Sequence, residues 1–151
     1  MKNEPRERRH TGLKVVLDTN VYVSIFNFPD SLISEVWFHA LKHHYELFLF
    51  PVIVEEFARI CRRDFDWDEK RVRLHVRLLN KTGKVVVPES VPDVIKEDPD
   101  DNHILACALA GKANLIVSRD LDLLRLKQYE GIGIMSSIDF LHTLEGFKKA
   151  A

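Results

Sequence analysis

Two cysteines, Cys61 and Cys107, are all the thiol chemistry this 151-residue chain has, and they stand far apart without metal-ligand spacing around them. That excludes a disulfide framework and suits buried thiols in a reduced, cytoplasmic setting. No apolar run approaches the roughly 20 residues needed to cross a bilayer, so no membrane partner is expected. Residues 1–10 are polar and rich in arginine, without the apolar core of a secretory signal. Excess charge is missing as well: the net charge is −1, so the totals do not announce a nucleic-acid binder and local clustering has to decide. What remains is 46% hydrophobic and 30% charged, the make-up of one globular domain long enough to bury a core.

The organisation follows from periodicity. Residues 1–12 read as a flexible arm, 13–146 as the domain and 147–151 as a tail. Continuous apolar runs at 13–17, 46–50 and 114–118 fit parallel strands covered on both faces, with further strands at 84–87 and, at the edge, 132–135. Between them lie helical patterns. One covers 20–26, and another follows caps at Asp30 or Ser31 and runs to about 44. A third begins at Pro51 with Ile53, Val54, Phe57, Ile60 and Cys61 as its packing stripe. Asp66 and Glu69 resemble a capping box for a fourth, through about 80. Residues 88–99, rich in Pro, Asp and Glu, read as a surface loop. Helices at 100–110, closed by Gly111 at C′, at 122–126 and at 137–144 complete the set. Strands alternating with helices predict a three-layer α/β/α sandwich with a mostly parallel central sheet of about five strands.

Four acidic residues fall where this architecture concentrates chemistry. Asp18 follows the first strand and Asp120 the fourth, so both belong at the carboxyl edge of a parallel sheet, where such folds bind ligands. Asp101 opens a helix, with Ile104, Leu105 and Ala108 setting it beside the buried side in preference to Asp100. Glu56, bracketed by Val54 and Phe57, is read as the deep carboxylate of its helix, while Glu55 is expected to face solvent. Carboxylates crowded together need a cation between them, and oxygen-only ligands suit Mg²⁺ or Mn²⁺. Such an ion activates water and steadies a phosphoryl group, so the inferred chemistry is metal-assisted phosphodiester hydrolysis. Each acid also has a plainer reading: Asp18, Asp101 and Asp120 are all placed to cap helices.

Leu17-Asp18-Thr19-Asn20-Val21, Val54-Glu55-Glu56-Phe57, Asp98-Pro99-Asp100-Asp101-Asn102-His103 and Ile116-Val117-Ser118-Arg119-Asp120-Leu121-Asp122 occur in that order, as in PIN domains. The resemblance spans about 13–141 and is closest to the bacterial and archaeal PIN proteins related to VapC-type toxins of toxin–antitoxin systems. It implies a Mg²⁺- or Mn²⁺-dependent endoribonuclease with an acidic quartet, which falls on Asp18, Glu56, Asp101 and Asp120. It further implies Asp122 as an auxiliary acid, and Thr19, Asn20 and Ser118 as polar supports. An RNA substrate, a cognate antitoxin and a homodimer formed through the region 31–44 come with the same resemblance. Two positions depart from it. Phe50-Pro51-Val52 stands where relatives often carry a Thr-Ser-Pro turn, and Ser118-Arg119-Asp120 where Thr-Gly-Asp is frequent. Arg119 either crowds that turn or adds a phosphate contact.

Basic residues cluster between the second and third strands at Arg59, Arg62, Arg63, Lys70, Arg71, Arg73, Arg77, Lys81 and Lys84. They form either a phosphate-holding face beside the cleft, a face for an acidic antitoxin, or a solvated face balanced by Asp64, Asp66, Asp68 and Glu69. Phe65 and Trp67 either stack on bases or pack the inter-helix turn. His103 is a proton donor, a phosphate contact or a plain surface histidine. His39, His43 and His44 lack neighbours for a zinc site. A haloacid-dehalogenase phosphatase would need a second Asp two positions after Asp18, where Asn20 stands. The acid pair and late lysine of a receiver domain are not evident. The alternative of another class is a non-catalytic PIN-fold module that binds RNA or protein.

Overall fold

The computed structural model describes residues 11–95 and 101–150, with side chains described up to 146. The proposed N-terminal arm lies almost wholly outside the described residues, as do Asp98, Pro99 and Asp100 of the third motif. Strand β1 (Lys14–Leu17) leads into helices α1 (Thr19–Asn27) and α2 (Ser34–Leu41), and strand β2 (Glu46–Leu49) into α3 (Pro51–Phe65) and α4 (Glu69–Thr82). After β3 (Lys84–Val85) come α5 (Asp101–Ala110), β4 (Leu115–Val117), α6 (Leu121–Leu126), the β5–β6 pair (Gln128–Tyr129 and Ile132–Met135) and α7 (Ser137–Ala150).

The sheet has six strands in the order β3-β2-β1-β4-β6-β5, parallel except where β5 pairs with β6. Its centre is dry: Val15, Val16 and Leu17 of β1 and Ile116 and Val117 of β4 are fully buried, as continuous apolar central strands require. The chain moves outward in one direction from β1 to β3, then returns past β1 to place β4 on its other side. Right-handed crossovers therefore put the first four helices on one face and α5 on the other, an α/β/α sandwich. The sense of travel reverses between β1 and β4, which opens a crevice beyond their carboxyl ends. Among the described residues no helix is long and apolar enough to cross a membrane.

The structure corrects several local expectations. Ile132–Met135 is not the edge strand, because β5 pairs outside it through a tight turn at Glu130 and Gly131, both at positive φ. Asp66 does not start α4. It closes α3 in the left-handed region at φ 55°, and Asp68 is the N-cap, accepting a hydrogen bond from the Arg71 amide. Helix α2 starts at Ser34, after a turn held by the Ser34 N–H bond to the Ser31 carbonyl. Helix α7 runs through Gly146 to Ala150, so most of the expected tail is helical. Gly111 is not the left-handed residue after α5; Lys112 is, at φ 52°. Gly111 is instead a close-approach glycine, since a Cβ there would lie 3.2 Å from the Phe48 ring.

These last two positions predict opposite effects. Lys112→Gly relieves a left-handed side chain and should raise stability by roughly 0.5–1 kcal/mol, net of the entropy that glycine adds to the unfolded chain. Gly111→Ala should lower it by about 1–2 kcal/mol as Phe48 is forced to shift. Urea unfolding of both variants checks the assignment, and equal effects at the two sites would contradict it.

Candidate functional site

At the crevice the two central strands end in register. Leu17 pairs with Val117, so Asp18 and Ser118 leave the sheet at the same level, and the Asp18 amide bonds the Val117 carbonyl at 2.9 Å. Asp18 is both helix cap and cleft residue. Its Oδ1 accepts the Thr19 amide at 2.7 Å, starting α1, while Oδ2 accepts the Ser118 hydroxyl at 2.7 Å and the Asn20 amide group at 3.4 Å. Asp120 has the same double character: its Oδ1 accepts the Asp122 amide at 2.8 Å and caps α6. The capping and functional readings of these acids are therefore compatible: the cap takes Oδ1 of each and leaves Oδ2 to Ser118 and Asn20 at Asp18 and to the cleft at Asp120.

Ser118 and Asn20 tie the two strand ends together. Ser118 Oγ donates to Asp18 and accepts the Asp120 amide at 2.9 Å. Asn20 reaches Asp18 with its nitrogen and accepts the Arg119 amide on its oxygen at 3.4 Å. Arg119 does not crowd the turn; its guanidinium bonds Ser24 Oγ of α1 at 2.7 Å. The Arg119–Ser24 bond has no signature in the sequence, because nothing local links residues so far apart in the chain.

Asp18, Thr19, Asn20, Glu56, Asp101 and Asp120 line one open cleft of about 390 Å³, with Glu55, Arg59 and His103 also on its wall. Ser118 lies fully buried behind it. One carboxylate oxygen each from Asp101, Asp120 and Asp122 lies within 4.8 Å of the others. Asp101 is buried, and the next residue explains how its helix is held: Asn102 accepts the Val94 and Ile95 amides and donates to the Ile95 carbonyl, pinning the incoming loop. Glu56 is not the deep carboxylate expected of it. Its side chain is 32% exposed and faces Arg59 at 3.5 Å, and Glu55, expected to face solvent, is exposed yet also lines the cleft. The α3 stripe buries Ile53, Val54, Phe57 and Cys61, and the two glutamates are left on the cleft side of it.

Of the remaining candidates, Trp67 is buried and donates from Nε1 to Asn27 Oδ1 at 2.8 Å, so it packs the inter-helix turn. Phe65 sits edge-on to Phe28 in the same region. His39 and His44 bond each other through their Nδ1 atoms at 2.7 Å. Cys61 and Cys107 are buried free thiols.

An oxygen-only donor set with several carboxylates suits a hard divalent cation. Two further features fit such a group. Thr19 Oγ1 is buried at the cleft without a hydrogen-bond partner among the described residues, a loss of about 1–3 kcal/mol in a finished core. Asp18 is burdened too: burial pushes its carboxyl up to about 6, against the opposing bonds from Ser118 and Thr19, and repulsion from Glu56 and Asp120 adds to the rise.

This shift gives a signed pH dependence for the metal-free protein. The folded-state value, about 6, lies above the ordinary 3.8, so the folded form binds the proton more tightly than the unfolded chain. The stabilisation is complete below pH 3.8 and is lost as pH rises through about 6. Its full size is on the order of 3 kcal/mol. Denaturant unfolding in EDTA should show wild type falling relative to Asp18→Asn across that window. Parallel curves would contradict it.

Comparison with known proteins agrees with this geometry. The model of the family described as PIN domain matches residues 14–122, from the start of β1 to the last acid of the cluster. No curated protein matches the chain. The match covers more than half of the chain and takes in each of the carboxylates that meet at the crevice, and the chain belongs to the PIN-domain family.

Proposed function

We propose that the protein is a Mg²⁺- or Mn²⁺-dependent endoribonuclease whose catalytic acids are Asp18, Glu56, Asp101 and Asp120, with Asp122 as an auxiliary metal ligand. The observation that carries this reading is the convergence of carboxylates from β1, α3, α5 and the β4–α6 turn on one open cleft, within a PIN domain. Asp101, Asp120 and Asp122 would hold the cation, with Asp18 and Glu56 completing its surroundings across the cleft. The ion supplies positive charge against the charge developing on the phosphoryl oxygens and makes water a better nucleophile at neutral pH.

The chain's own residues provide orientation. Ser118 and Asn20 fix the Asp18 carboxylate, and the Asp122 amide fixes that of Asp120, so neither must be reoriented as the reaction proceeds. Hydrolysis forms one bond from a water oxygen to phosphorus and breaks one to a ribose oxygen. The water's proton passes to the carboxylates and the leaving oxygen gains one.

The likeness to VapC-type toxins supports a role as the toxin of a toxin–antitoxin pair acting in the cytoplasm. Exposed Leu32, Phe38 and Leu41 in and beside α2 support a homodimer through that region.

Purified protein with Mn²⁺ should cleave single-stranded RNA, and Asp18→Asn should lower kcat by at least about 100-fold. The same substitution should raise the unfolding midpoint of the metal-free protein at neutral pH, because it removes a strained buried charge. Absence of cleavage with Mn²⁺, or equal kcat in wild type and variant, would contradict the nuclease reading. Loss of activity together with loss of folded structure would contradict the assignment of Asp18 as a strained functional group.

A further inference from the structure

The cleft poses an electrostatic problem for the substrate proposed above. Its wall carries Asp18, Glu55, Glu56, Asp101 and Asp120, and Arg59 is the one arginine or lysine among its lining residues. A polyanion is repelled from such a site unless cations stand along its approach.

Helix α3 connects the cleft to a second basic surface. Glu55, Arg59 and Arg62 recur at i, i+4 and i+7 and so share one helix face. Glu55 and Arg59 line the cleft, whereas Arg62 lines a shallow groove of about 460 Å³ with Val72, Arg73, Val76, Arg77 and Asn80 of α4. Glu56 and Arg62 are separated along α3 by only about 9 Å.

The basic residues of this hairpin divide by what they already do. Arg62 makes two bonds to Glu69, at 2.6 and 2.9 Å, Arg63 pairs with Asp64, and Arg71 lies 4.0 Å from the Trp67 ring centre. These three brace the hairpin. Among the described residues Arg77 has no ion pair and Arg73 touches no carboxylate, although its charge is felt at Glu69. Both are exposed, one helical turn apart, beside an apolar strip whose accessible part is Val76, with Val72 buried beneath it. Cations flanking an apolar strip suit a single strand, whose phosphates take the charge while a ribose or base lies on the strip. An acidic protein helix would satisfy the same charges. The unbroken face from the cleft to the groove favours the strand that must enter that cleft.

We propose that the α3–α4 groove is the track along which single-stranded RNA leaves the cleft, with Arg59, Arg73 and Arg77 contacting successive phosphates. The proposal rests on the nuclease reading and deepens it by stating where the strand runs.

The test separates the two. Binding of a fluorescent single-stranded RNA of roughly 12 nucleotides is followed by anisotropy in an Asp120→Asn background that leaves the RNA uncut. Arg73→Ala/Arg77→Ala should weaken binding and remove about 1.4 from the slope of log affinity against log salt. Between about 50 and about 200 mM salt the parent should then lose roughly sevenfold more affinity than the double variant. Lys42→Ala/Lys112→Ala removes equal charge at the opposite sheet edge, where Lys42 precedes β2 and Lys112 precedes β4, and should leave the slope unchanged. Identical slopes in the two double variants overturn the track. So does unchanged RNA affinity in Arg73→Ala/Arg77→Ala combined with capture of an acidic helical peptide by the parent groove. Failure of the wild type to cut RNA overturns the nuclease reading instead, since the binding slopes are read without cleavage.

Discussion

Everything at the crevice depends on one hydrogen bond, from Ser118 Oγ to Asp18 Oδ2 at 2.7 Å. It joins the ends of two neighbouring strands that are otherwise remote in sequence, and it does so between two buried side chains, where competition from water is weak. Because the same hydroxyl accepts the Asp120 amide, a displacement at either strand end is felt at both carboxylates. The register that pairs Leu17 with Val117 makes the bond possible, and a one-residue slip would turn Ser118 to the other face of the sheet.

The price of that arrangement is a buried carboxyl held up to about 6 among other acids, beside a threonine hydroxyl without a partner among the described residues. A fold selected for stability alone would place neither group there. Large surrounding terms tolerate the cost: the central strands bury Val15, Val16, Leu17, Ile116 and Val117 completely, and Tyr22 of α1, Phe57 of α3 and Trp67 meet edge to face. The strain sits at the switch point of the sheet, where this fold class keeps its ligands. Stability and function pull in opposite directions at Asp18 and together in the core.

Legibility in the sequence followed range. Asp18 and Asp120 could be placed from local pattern, since an apolar run ending in an acid marks a strand's carboxyl end. The parallel sheet and the cleft edge followed from the alternation of strands and helices. Flanking apolar residues favour Glu56 over Glu55 as the deep carboxylate, but the α3 stripe leaves Glu56 part-exposed with Glu55 beside it on the cleft wall. Strand β5 is not legible in the sequence, because a two-residue strand has no periodicity to detect. Asp66 with Glu69 has the pattern of a capping box, but Asp68 suits a cap as well, and only the left-handed turn at Asp66 decides between them. The anchoring of Arg119 by Ser24 and of the 94–95 loop by Asn102 depends on tertiary proximity that no local pattern encodes.

The central claim is that these acids form one divalent-metal site at the crevice. Anomalous diffraction from crystals soaked in Mn²⁺ tests it most directly. The expected result is a peak in the cleft with oxygens of Asp101, Asp120 and Asp122 at about 2.0–2.3 Å, and Asp18 on the same side of the sheet. No peak at saturating Mn²⁺, or one bound away from these carboxylates, would contradict it.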